Sequence, residues 1–253
     1  MTTLAAGASV RQPIAADPFR TRDADHTFFS VMSVVSAIAI AGGFLNTYGS
    51  KMINGTPVPP IIHVHALVFT SWLVVFVTQA LLVNRGRVAL HKRIGTASAA
   101  LAALMVIIGT MTAITVTRAG HRGIPGVEFP TPSGFLLLNL IAVFVFAVLF
   151  IAAWRMRHNS QAHKRLMLSA ITGALIGPGV SRLPFISGRV PLIGISVLAF
   201  LFAGPVYDLI TRRRVHRAYW FAIPVALLGI PPVVAGIDGT AAWQSVAQWL
   251  LQH

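Results

Sequence analysis

The sequence predicts an all-α, polytopic transmembrane helical bundle of about seven spans, and three observations carry that reading. First, 55% of the 253 residues are hydrophobic and only 10% are charged. The apolar residues fall in blocks of about twenty, the length of helix that crosses the hydrocarbon layer of a bilayer. Second, no ten-residue alternation of a membrane barrel appears, so helices, which satisfy their own backbone groups, are the remaining way through lipid. Third, the 20 lysines and arginines flank the apolar blocks with a strong bias to one side.

Taken in order, the first 25 residues, through "RQPIAADPFRTRDAD", are polar, small or charged, with no apolar core and no small-residue cleavage signature. They read as a flexible cytoplasmic tail. A transmembrane domain over 26–238 follows, with spans expected at about 27–48, 61–83, 95–117, 135–154, 166–186, 191–210 and 218–237. No connection exceeds about twenty residues, so no soluble domain is inserted. Over 239–253, "TAAWQSVAQWLL" puts Trp243, Val246, Ala247, Leu250 and Leu251 on one helical face, the pattern of a short interfacial amphipathic helix.

Charge sets the orientation. Fifteen basic residues, among them Arg85, Arg87, Lys92 and Arg93 and the run Arg212, Arg213, Arg214 and Arg217, lie before span one or in the connections two to three, four to five and six to seven. Five lie on the other side: Lys51, Arg118, Arg122, Arg182 and Arg189. The positive-inside rule then puts the amino terminus in the cytoplasm and the carboxyl terminus outside, in a bacterial inner membrane. The same placement accounts for the net charge of +14 without nucleic acid, since no aromatic stacking platform lies between the basic residues. The lipid bilayer is the expected partner. Cysteine is absent, which removes disulfides, thiolate metal sites and cysteine nucleophiles.

The later spans contain backbone breakers: "GALIGPGVSRLP" in five, "AGPVYD" in six and "AIPVALLGIPPVV" in seven. Their freed carbonyls and donors can be satisfied by neighbouring helices or by a ligand.

Histidines stand out in "PPIIHVHALVFTSWLVVFVTQALLV". His63 and His65 are two apart, about 200° on a helix, so only one of them faces a given neighbour. Steps of seven from His65 reach Trp72 and Gln79, with Val68 and Val75 completing the stripe. Polar groups turned to lipid would stay unpaired, so the stripe is expected to face the bundle, making span two a central helix. His65 then either hydrogen bonds to Asn46 or Tyr48 or serves as a ligand to a cofactor. His63 is expected to reach the outer headgroups.

Two cytoplasmic corners repeat a motif: "RVALHKRIG" holds His91 and "SQAHKRLML" holds His163, 72 residues further on. Spans two and three and spans four and five therefore suggest a parallel repeat. In such a repeat His91 and His163 sit at matching depth on facing helices, where two imidazoles can hold one haem iron from opposite sides; membrane orientation alone also explains the Lys-Arg pairs. Asp208 and Arg212 form an i, i+4 pair, with Asp208 read either as its ion-pair partner, as a proton acceptor or as a group orienting His163. Arg182 is placed near the outer surface, in reach of a haem propionate, a quinone oxygen or a lipid phosphate. No hydrolase or phosphate-binding motif appears, and no lysine falls in a late span to carry a retinal.

The H-x-H at one helix start and the H-[KR]-R-[IL] corner at its inner end resemble those of a large set of bacterial multispan membrane proteins, over roughly residues 55 to 170. That resemblance implies no established activity. More locally, "IIHVHALVF" is similar to the haem-ligating helix of haem–copper oxidase catalytic subunits and related nitric-oxide-responsive proteins, which implies His65 as a haem ligand. The chain departs from that pattern in lacking a later span with closely spaced histidines for copper.

The leading expectation is a membrane protein that binds a b-type haem through some of His65, His91 and His163, in electron transfer or redox sensing, with a quinone or other redox partner. Two alternatives stay open. One is a transporter or lipid-handling protein with a site among spans five to seven at Arg182 and Asp208. The other is an accessory subunit of a larger complex, or a homo-oligomer.

Overall fold

The structure is a computed structural model that describes residues 18–252. The tail expected over residues 1–25 lies outside the described residues as far as residue 17; from Pro18 the chain is helical, and Asp25 is already buried.

Helix α1 (Pro18–Phe44) passes through a π-helical turn (Leu45–Gly49) into a short α2 (Ser50–Ile53). Then come α3 (Pro60–Asn84), α4 (Val88–Arg118), a two-strand hairpin of β1 (Gly123–Ile124) and β2 (Val127–Glu128), and α5 (Pro132–Arg155). The next span is split into α6 (Ser160–Ala174) and α7 (Ile176–Val180); α8 (Val190–Arg212) follows. The chain ends with α9 (Arg217–Ala226), a 3-10 turn (Leu227–Gly229), α10 (Pro231–Asp238) and α11 (Ala241–Gln252).

Proline sets several of these starts. Pro60 and Pro132 occupy the first positions of α3 and α5, where a missing N–H and a fixed φ suit a helix start. Thr131 caps α5 by accepting from the Gly134 N–H at 3.0 Å, and Asn159 caps α6 by accepting from Ala162 at 3.2 Å.

Among the described residues five helices, including α1 with its continuation to Ile53, are long and apolar enough to cross a bilayer; the pair α9–α10, bent by 58° after Gly229, counts as a sixth where its two parts are taken as one span. The distribution of residues over these helices is that of a protein solvated by lipid. On α1, Ser33 and Ser36 are 0% exposed while Ile38 is 65% exposed. Leu67 and Val74 on α3 and Ile195 and Leu209 on α8 also turn outward. In water such a face would be an aggregation site; in a bilayer it is the solvated surface. The chain is an integral membrane protein with an all-α bundle.

The expected span 166–186 is the one that differs most. Neither α6 nor α7 alone is long enough to cross, and the break falls at Leu175, just before Pro178. Together they form the centre of the bundle: α6 packs on α1, α5, α8 and α9, and α7 on α1 and α8. Leu166, Ala170, Ile171, Ile176 and Val180 are all buried. Small residues permit this crowding. A side chain at Gly173 would meet the Ala226 Cβ at 2.8 Å, and one at Gly43 would run into the Gly179 carbonyl, so α1 and α7 touch backbone to backbone. The centre of the molecule is thus α6–α7, not the second span; α3 packs mainly between α1 and α4 and reaches α5 through Trp72, which meets the edges of Phe146 and Phe150.

Candidate functional site

The two H-K-R corners meet. His91 and His163 each lie in the first turn of their helix, donating the first i to i−4 backbone bond, to Arg87 at 3.0 Å and to Asn159 at 2.9 Å. Their preceding helices start at Pro60 and Pro132 and their own at Val88 and Ser160, each 72 residues apart like the histidines themselves. The ring centroids come to 6.3 Å with planes at 81°.

The chain controls which ring nitrogen carries the proton. His163 Nδ1 lies 2.9 Å from the Ala153 carbonyl. A carbonyl only accepts, so Nδ1 donates, and the Nε2 lone pair is left free. His91 Nδ1 faces two groups of Gln79. The main-chain carbonyl, 3.4 Å away, only accepts, so toward it Nδ1 donates and Nε2 is left free. The carboxamide, with its oxygen accepting from the Gly95 N–H at 3.2 Å, points its nitrogen at the His91 carbonyl at 3.0 Å and at His91 Nδ1 at 2.5 Å, and a bond from that nitrogen would instead leave the ring proton on Nε2. Gln79 bears on the His91 tautomer through both groups.

Beside this pair is a buried charge network that joins α1, α6 and α8. Arg165 and Asp208, both 0% exposed, make a two-pronged contact: Nε donates to Oδ2 at 2.8 Å and Nη2 to Oδ1 at 2.5 Å. Arg165 Nη1 also donates to the Gln161 carbonyl and side-chain oxygen. Arg212 bridges both carboxylates, reaching Asp208 Oδ1 at 3.0 Å and Asp25 Oδ2 at 2.5 Å. Lys164 donates to Asp25, as does the Tyr207 hydroxyl at 2.9 Å. Every prong of both carboxylates is occupied, which is the condition for burying them at tolerable cost. The Asp208–Arg212 pair expected from spacing is present. A role for Asp208 in orienting His163 is not seen, because the Ala153 carbonyl orients that ring.

The network extends to the start of α9. The His216 backbone N–H donates to Asp208 Oδ2 at 3.2 Å, and its ring Nδ1 accepts from the Ala218 N–H at 3.1 Å. Burial, with the Arg165 charge next, pushes the His216 imidazole below its ordinary value.

His65 stands elsewhere. Along α3 it lies fourteen residues from Gln79, about 21 Å at 1.5 Å per residue. His65 cannot share one ligand with His91 and His163. Its face does turn inward: Val68 and Trp72 of the same stripe are buried, and its ring stacks on Phe69 at 3.9 Å. The partners expected for it are taken by others. The Tyr48 hydroxyl meets exposed His63 at 2.6 Å, and Asn46 donates to the Arg182 carbonyl at 2.9 Å. His65 Nδ1 is buried without a partner, as is the Trp72 indole N–H.

Arg182 lies at this outer end, donating to the Pro178 carbonyl at 2.6 Å, with its guanidinium 4.8 Å from the Phe44 ring centre. Arg182 and Asp208 are thus separated by most of α8, and a single site containing both is not formed. At the same outer end, Asp238 accepts from Thr131 at 2.6 Å and from the Trp243 indole at 3.2 Å, tying α10 and α11 to α5. Arg118 closes α11 by donating to the Leu250 carbonyl.

Sequence reasoning missed Asp25, Tyr207 and the pairing of Lys164 and Arg165. A signal was there: the chain has only 6 carboxylates, and Arg165 opens the apolar run "LMLSAITGAL", so a buried arginine had few partners to choose from.

No family model, curated protein or solved structure matches the chain.

Proposed function

We propose that the protein is a b-type haem-binding membrane protein of electron transfer or redox sensing, with His91 and His163 as the axial pair at the cytoplasmic end of the bundle. The observation that carries this is the 6.3 Å approach of the two rings. Two imidazoles bound on opposite sides of one iron, at about 2 Å per bond, have ring centres about 6 Å apart.

A further feature supports it. The His163 lone pair is held ready by Ala153, the kind of contact that ligating histidines use.

When bound, haem supplies one-electron chemistry at its iron. The chain's own residues do the rest. Ala153 fixes the His163 tautomer, the Gln79 main-chain carbonyl favours the His91 tautomer whose Nε2 is free, and the neighbouring network of three cations and two carboxylates carries a net positive charge that favours an added electron.

Oxidised and dithionite-reduced spectra of protein purified in detergent after haem-replete expression test the reading. Soret and α bands are expected in the wild type and in His65→Ala, and are lost in His91→Ala and His163→Ala. A wild type without bands overturns it.

A further inference from the structure

We propose that the outer end of the bundle binds the headgroup of a membrane quinone between Arg182 and His65. This site uses residues about 20 Å from the inner histidine pair, so the two readings fail separately.

Arg182 is a cation without a counter-ion. Among the described residues no carboxylate lies within ion-pair distance of it, and of its five N–H donors the Pro178 carbonyl takes one, on Nη1. It is also held in place. The Gly43–Gly179 contact locks α1 against α7, Asn46 grips the Arg182 carbonyl, and Phe44 lies under the guanidinium. A half-buried guanidinium fixed in this way offers donors to an oxygen that the protein does not supply.

His65 is the second group that lacks a partner. Its Nδ1 is shielded from solvent and bonded to nothing, a state that normally costs on the order of 1–3 kcal/mol. The turn that ends α1 ties the two together: Asn46 grips the Arg182 carbonyl, and two residues further on Tyr48 bonds to His63, which stands two residues before His65. A neutral imidazole can donate to a carbonyl or accept from a hydroxyl, which is the exchange between a quinone and a quinol.

The walls decide the class of ligand. Phe69 stacks on His65 and Phe44 lies against Arg182, so each polar group has a flat apolar ring beside it. A lipid phosphate would use the guanidinium and leave the imidazole and the aromatic walls idle. A flat ring with oxygens at opposite ends uses all four.

Decyl-ubiquinone titrated into the protein in zwitterionic nanodiscs, read by quenching of tryptophan fluorescence, provides the test; Trp72 lies two turns from His65 on the same face. Saturable quenching is expected in the wild type and in His163→Ala. Affinity is expected to fall about tenfold or more in Arg182→Gln, for loss of a hydrogen bond from a charged donor. His65→Phe, which keeps the stack on Phe69 and leaves the guanidinium untouched, is expected to weaken binding as well. Quenching that does not saturate, or that is the same in His65→Phe as in the wild type, overturns the proposal. So does quinone binding that disappears when phosphatidylglycerol is added to the nanodiscs, which assigns the site to a lipid phosphate.

Discussion

Arg165 and Asp208 show what a single buried charge requires. Neither side chain touches solvent, and the two-pronged contact with the other is the largest share of what satisfies each. Removing one partner leaves an unpaired charge in a low-dielectric interior, which costs about 3 to 5 kcal/mol, whereas replacing both by apolar residues of similar volume is nearly neutral. Asp208→Ala is therefore expected to lower the melting temperature in detergent far more than the double variant Arg165→Met/Asp208→Leu. Equal losses from the two would show that the pair is not what holds this region. At this scale the sequence was legible wherever partners are close along the chain. The Asp208–Arg212 bond follows from i, i+4 spacing, and the His65–Trp72–Gln79 stripe from a step of seven. Asp25 binding Lys164, or Tyr48 choosing His63 over His65, depends on helices distant in sequence coming together, and no local pattern encodes that.

Among the elements, α9 carries a pH response at its start. His216 caps the helix through ring Nδ1, which accepts the Ala218 N–H, and only the neutral ring with its proton on Nε2 can do so. Its folded value is pushed below the ordinary 6.5, by burial first and by Arg165 next. The sign follows: protonation favours the unfolded chain, so the contribution is complete above about pH 6.5 and is lost as the pH falls through the lowered folded value. The melting temperature of the wild type is expected to drop more than that of His216→Asn between pH 7 and pH 5, because asparagine caps without titrating. Parallel curves would remove His216 from the account. Element existence was otherwise readable from block length and proline position, as at Pro60 and Pro132. The split of the fifth span was readable only as a Gly-Pro signal, because whether such a segment kinks, breaks or crosses depends on what packs against it.

For the whole molecule, the inner cluster at Asp25, Arg165 and Arg212 and the outer cluster at Thr131, Asp238 and Trp243 lie at opposite ends of the bundle. The positive-inside rule predicts that the first end is the cytoplasmic one. The absence of cysteine makes this easy to check with single introduced thiols. His121→Cys and Arg157→Cys both replace exposed residues, in the connections after α4 and after α5. A membrane-impermeant maleimide added to intact cells is expected to label the first and to reach the second only after the membrane is opened. The reverse pattern would invert the topology.

Composition and block length alone determined that this is a helical membrane protein, because lipid imposes those demands on each segment independently. Matching motifs also singled out His91 and His163. Tertiary structure alone decided that these two rings meet while His65 stands apart, that α6–α7 occupies the centre, and that Asp25 and Asp208 pair with a buried arginine and its neighbours. Those outcomes rest on where small residues let backbones touch, as at Gly43 and Gly179, and on which charges then lie within reach of one another. Such geometry is a property of the packed bundle, to which each helix contributes only one surface.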